Sequence, residues 1–207
     1  MNVMSALCDG ILGAVCLFAA YTFVRRKALV GWYSGLAFGG IGFAAVLGSI
    51  KYSGLERGAL YSLVESLHYV ASGLGGYLWV PMIGACWVYA AWKKDARFLH
   101  NIMYFLAIAS VMFAGLGLVL WRLVISGAGM LAVIVAANKS ATRGISGAGL
   151  MGFLGAALTL AAGLVIGTKG SVMGILRLDI FHLVLAIANA LLALGLLRIM
   201  DANLKES

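Results

Sequence analysis

Charge is scarce in this chain: 11% of its 207 residues are charged, against roughly 25% in a soluble domain. It holds one proline, three histidines and seven acids, and its apolar share is 63%, with a mean hydropathy of +1.04. A soluble globular domain is thereby excluded. The apolar runs are continuous and about 20 residues long rather than short and alternating, which excludes a membrane barrel and leaves helices as the spanning structure. Cysteine offers no framework, since Cys8, Cys16 and Cys86 lie inside apolar runs without disulfide or zinc-finger spacing. The net charge of +8 does not point to nucleic acid, because the 15 basic residues stand in small groups between apolar runs, where they act as topology signals. Asp9, with no basic region ahead of the first apolar run, marks that run as a span rather than a cleaved leader.

What remains is a single helical domain over residues 1–207, with spans expected at 3–24, 28–50, 59–92, 98–120, 122–138, 145–167 and 178–200. The second is rich in glycine, as a close-packing membrane helix is. Segment 59–92 has 34 residues, about 51 Å of helix against a hydrocarbon core of about 30 Å, and Gly73, Gly75, Gly76 and Pro81 mark where it kinks. Trp121-Arg122 reads as the turn between the fourth and fifth spans. Counting 59–92 as one span with the N-terminus outside puts ten basic residues inside (Arg25, Arg26, Lys27, Lys93, Lys94, Arg97, Lys139, Arg143, Arg198 and Lys205) and five outside (Lys51, Arg57, Arg122, Lys169 and Arg177). Counting it as two reverses the bias to six against nine. The positive-inside rule selects the first. The fold class expected is therefore all-α: a polytopic integral membrane protein of seven transmembrane helices, N-terminus outside and C-terminus cytoplasmic.

That topology lifts a few ionisable groups to one depth. Asp9 sits in the outer part of span one; Glu65 and His68, three apart and on one helical face, lie in the outer half of 59–92; Asp179 and His182, again three apart, open the last span. Ionisable groups in membrane spans are expensive and mark functional sites by default. Two imidazoles with carboxylates are a ligand set for a divalent metal, zinc first, so Asp9, His68, Asp179 and His182 are the expected metal ligands. Glu65 is then the candidate catalytic base, and Ser66, beside His68, a donor that orients ligand or oxyanion. Plainer readings stand beside these. Asp179 is also the residue type that settles a helix's first turn, and Glu65 and His68 suit a solvated half-helix. Asp9 has no basic neighbour in sequence and needs a partner from another helix.

Cys8-Asp9-Gly10 in span one, the Arg25-Arg26 stop, the glycine-rich second span and Asp179-Ile180-Phe181-His182 opening the last resemble an uncharacterised family of bacterial seven-span membrane proteins. The resemblance implies a multi-pass protein of the bacterial inner (cytoplasmic) membrane. More distantly, seven spans with Ser, Asp and His groups are similar to the alkaline ceramidases and adiponectin-receptor-like proteins, zinc-dependent lipid amide hydrolases, although the His-x-x-x-His pair is missing. This second resemblance implies a metal-dependent hydrolase of a lipid-type amide or ester. The alternatives are a proton- or cation-coupled transporter, or an accessory subunit holding membrane partners by its glycine faces. The partners expected are the lipid bilayer, a lipid-like substrate or another membrane protein, and no nucleic acid.

Overall fold

Apolar runs this long close their backbone hydrogen bonds within themselves, which favours helix wherever water is scarce. The computed structural model describes residues 2–54, 58–117, 119–145 and 147–206. Its helices are α1 (Val3–Val24), α2 (Leu29–Tyr52), α3 (Ala59–Leu74), α4 (Val80–Trp92), α5 (Ala96–Gly115), α6 (Val119–Thr142), α7 (Ala148–Ala161) and α8 (Arg177–Lys205). A π-helical turn, Gly75–Trp79, joins α3 to α4, so Ala59–Trp92 is one continuous stretch, and a second, Ala162–Ile166, extends α7. Among the described residues seven stretches are long and apolar enough to cross a membrane, the build of a multi-pass membrane protein. Glu56 and Arg57, in the polar stretch before α3, lie outside the described residues.

Two expectations change. The turn between the fourth and fifth spans comes before Trp121-Arg122: α5 stops at Gly115, Gly117 takes φ +66°, and Trp121 and Arg122 already belong to the first turn of α6. A charged residue next to a tryptophan resembles a loop in sequence, but the left-handed Gly117 makes the turn. The connection 168–177, expected as a loop, holds a small antiparallel hairpin of β1 (Ser171–Val172) and β2 (Ile175–Leu176). Its central residues Met173 and Gly174 have φ +51° and +82°, the two positive angles of a type I′ turn.

α1 packs against both α2 and α8, α4 against α6, and α7 against α6 and α8. The apolar core fills the end of the bundle where α1 and α8 finish. There Phe23 stacks on Phe38 with ring centroids 5.5 Å apart, and Trp87, fully buried, lies against Gly152 of α7 and Gly195 of α8. Beyond this core, charges fasten the end of α8. Asp201 pairs with Arg26, Glu206 with Lys93 at 2.6 Å and with Arg143 at 3.1 Å, and Arg143 donates to Asn203 Oδ1 at 2.7 Å. The hydrogen bond from Lys93, and after it the charges of Lys93 and Arg143, hold the Glu206 carboxyl below its ordinary range.

Two measurements follow from this packing. α4 crosses α6 with Gly84 on Gly129, and a Cβ at Gly129 would come within 2.8 Å of the Pro81 backbone, whereas one at Gly73 would meet nothing within 4 Å. Gly129→Ala should therefore lower stability in detergent by about 1–3 kcal/mol, with Gly73→Ala far milder. Because a depressed carboxyl stabilises the fold above its unfolded pKa and loses that contribution as pH falls through its lowered one, the melting temperature should decline on the acid side. Glu206→Gln should flatten part of that decline.

Candidate functional site

At the opposite end of the bundle, polar side chains join the apolar packing. α1 and α8 run side by side in the same direction, and one face of α1 carries Ser5, Cys8 and Asp9, all buried. Two contacts join this face to α8 at successive depths. Ser5 Oγ donates to Asp179 Oδ1 at 2.5 Å, and one turn deeper Asp9 Oδ1 meets His182 Nδ1 in an ion-pair contact. Four residues along α1 and three along α8 are each about one helical turn, so both contacts fall on facing stripes of the two helices. The top of α1 is fixed as well, since Asn2 caps it by accepting from the Ser5 N–H at 3.3 Å and donates its own N–H to the Tyr52 carbonyl at 3.2 Å.

Asp9 is 1% exposed. Its contact with His182 is not aligned as a hydrogen bond, and both carboxylate oxygens and the imidazole Nδ1 are buried without a hydrogen-bond partner among the described residues. A carboxylate in that position costs several kcal/mol unless a proton or a ligand satisfies it. On its other side Asp9 abuts Gly48 of α2, where a Cβ would overlap the carboxylate and lie 3.0 Å from His68 Cε1. Only glycine lets α2 pass between these two groups. His68 Nδ1 lies 3.0 Å from the Ala44 carbonyl; as that nitrogen must donate to it, the proton sits on Nδ1 and Nε2 is left as the acceptor.

Asp9, His68 and His182 line one cavity of about 480 Å³. Its lining draws on α1, α2 and α8, including Tyr52 and Asn189, on α3, α4 and α7, and on the two π-helical turns and α6, including Arg122 and Ser126. A π turn displaces carbonyls from their usual partners, and here side chains from neighbouring helices meet them. Ser126 donates to the Gly76 carbonyl at 2.8 Å, Ser110 to Tyr77 at 2.8 Å, and Arg177 to Ile166 at 3.1 Å.

The structure thus brings Asp9, His68 and His182 together and leaves three other expected site residues elsewhere. Asp179 is buried against Ser5, one rung above the cavity. Glu65 is exposed on the outer face of α3, its carboxylate 2.9 Å from Lys51 Nζ, and Ser66 is exposed beside it. Sharing one sequence face with His68 did not suffice, because His68 turns inward against Ala44 while the stripe through Glu65 faces α2's lysine and solvent. Zinc fits this arrangement poorly: Asp9 and His182 contact each other, Asp179 is committed to Ser5, and no three His, Cys, Asp or Glu side chains among the described residues gather around a common point. Arg122, Tyr52 and the second π turn were not legible as site features, whereas the first falls in the Gly73–Pro81 stretch that the sequence marks as a kink. The available signal was Arg122's isolation, the one charge between Arg97 and Lys139.

Asp9→Ala would bury the His182 imidazole without its partner and should lower stability by about 3–5 kcal/mol. Glu65→Ala, removing an exposed pair, should change it by less than about 1 kcal/mol. Chemical or thermal unfolding in the same detergent measures both.

A protein-family comparison matches residues 4–201 to a family of unknown function, DUF6962. No curated protein and no solved structure matches the chain, and the likeness to ceramidases finds no support in these comparisons. Since the match covers nearly the whole sequence, the chain belongs to the family of unknown function DUF6962.

Proposed function

We propose that this is a bacterial inner-membrane protein, N-terminus and cavity outward, in which an Asp9–His182 dyad hydrolyses a lipid-type ester or amide entering from the bilayer. One observation carries the reading: a buried carboxylate and a partly buried imidazole, in ion-pair contact with each other and with no other ion pair among the described residues, at the wall of a cavity of about 480 Å³, within the range of small-molecule sites. The outward orientation is supported by Arg26, Lys93 and Arg143 clustering at the other end, as the positive-inside rule places them.

The chemistry follows from the dyad. Asp9 holds His182 through Nδ1, leaving Nε2 to take a proton from water as the water oxygen adds to the substrate carbonyl carbon. The imidazolium formed is stabilised by the Asp9 carboxylate. Tyr52 and Asn189, which line the same cavity, offer the oxyanion a phenolic O–H and the amide N–H that the Leu185 carbonyl does not take. Collapse of the tetrahedral adduct breaks the bond to the leaving oxygen or nitrogen, which takes the proton back from His182. The products are an acid and an alcohol or amine.

A second reading, a proton-coupled carrier, is favoured by the two π-helical turns that face one cavity, because irregular helices commonly flank transport sites. Both readings are separable. In nanodiscs, the wild type should release product from a fluorogenic ester or amide lipid; Asp9→Asn and His182→Gln should lose about 10²–10⁴ in rate, with Glu65→Gln unchanged. No turnover in any of them, with Asp9-dependent proton flux in liposomes, would replace the hydrolase by the carrier. Stoichiometric zinc in the purified wild type, absent from Asp9→Asn, would replace the proton dyad by a metal centre.

A further inference from the structure

The cavity has a second pole that the dyad does not use. Arg122, in the first turn of α6, lines it half-buried, its stem laid so closely over Gly76 that a Cβ there would strike the Arg122 Cγ and lie 2.6 Å from Cδ. Among the described residues its guanidinium has no hydrogen bond or ion pair, while the described acids at that end are engaged: Asp9 with His182, Asp179 with Ser5, Glu65 with Lys51. Among the described residues the cavity therefore presents a cation without a counter-ion and, elsewhere in its lining, a carboxylate 1% exposed without a hydrogen bond. Between them the lining is largely apolar, with Leu12, Ile41, Val80, Ile83 and Met130, alongside hydroxyls of Ser72 and Thr159.

An unpaired guanidinium in a partly desolvated pocket is a receptor for a planar or tetrahedral oxyanion, which it binds through two parallel N–H donors. Its place in the first turn of α6 sets it near the positive end of that helix's dipole. We propose that Arg122 selects the ligand of this cavity: a single-chain amphipath whose carboxylate or phosphate head sits on Arg122 while its apolar stem runs along the wall toward His182. This deepens the reading of the cavity as the site of a lipid-type substrate and rests on it for the ligand's apolar part. The anionic head is fixed by Arg122 alone.

The test uses the full chain in dodecyl maltoside, with dodecyl phosphate, dodecanol and inorganic phosphate as probes and binding read by calorimetry and thermal shift. Dodecyl phosphate should bind the wild type saturably, more tightly than dodecanol or inorganic phosphate, and at least about tenfold more weakly in Arg122→Gln. Arg122→Lys should recover part of the loss. Dodecanol binding should be equal in wild type and Arg122→Gln, which shows that the variant is folded. Asp9→Asn, which abolishes turnover on the reading above, should bind dodecyl phosphate no more weakly than wild type, so failed catalysis and failed recognition are told apart. Equal dodecyl phosphate affinity in wild type and Arg122→Gln would overturn the inference. So would inorganic phosphate binding as tightly as dodecyl phosphate, since the head alone would then be the ligand.

Discussion

A carboxylate 1% exposed, pressed against one imidazole, sets the terms for this end of the molecule. In surroundings of low dielectric the charge of Asp9 is tolerable only beside an opposite charge, a proton or a ligand, so the helices that carry its partners cannot drift. α8 must lie flush with α1 to bring His182 into place. α2 must thin to Gly48 to let the carboxylate and His68 share a boundary. α3 must then turn His68 toward Ala44 rather than toward Lys51, where its neighbour Glu65 goes. Each is a packing demand generated by one buried charge.

The opposite end solves a different problem. Its charges are solvent-accessible and tie the tail of α8 to Arg26, Lys93 and Arg143, while Trp87 and the Phe23–Phe38 stack fill the volume beneath. Rigid packing there leaves the irregular backbone to the cavity end. Two π-helical turns are tolerated because Ser126, Ser110 and Arg177 reach across to the displaced carbonyls.

This division explains which features could be read from the residues. Span existence follows from length and hydropathy, which act along one helix, and α1 runs over Val3–Val24, the limits its apolar run indicates. The site depends on how helices sit relative to one another, which residue spacing does not encode. Asp179 and His182 share a face, yet on a parallel neighbour that face meets Ser5 first and Asp9 one turn later, so the pair splits into two rungs. Glu65 and His68 diverge similarly, because the helix buries one edge of their shared stripe and exposes the other. Arg122 resembled a turn residue, but the turn falls earlier, where Gly117 has positive φ. The hairpin after Gly167 rests on Met173 with positive φ, a conformation its residue type does not announce.

Solid-state NMR of protein labelled at its three histidines and at aspartate, reconstituted in bilayers, tests the central claim most directly. The account predicts one imidazole Nδ1 close in space to a single carboxylate carbon, giving a cross-peak that disappears in Asp9→Asn and persists in Asp179→Asn. An Asp9 carboxylate with no histidine cross-peak, or a cross-peak that Asp179→Asn abolishes instead, would contradict it.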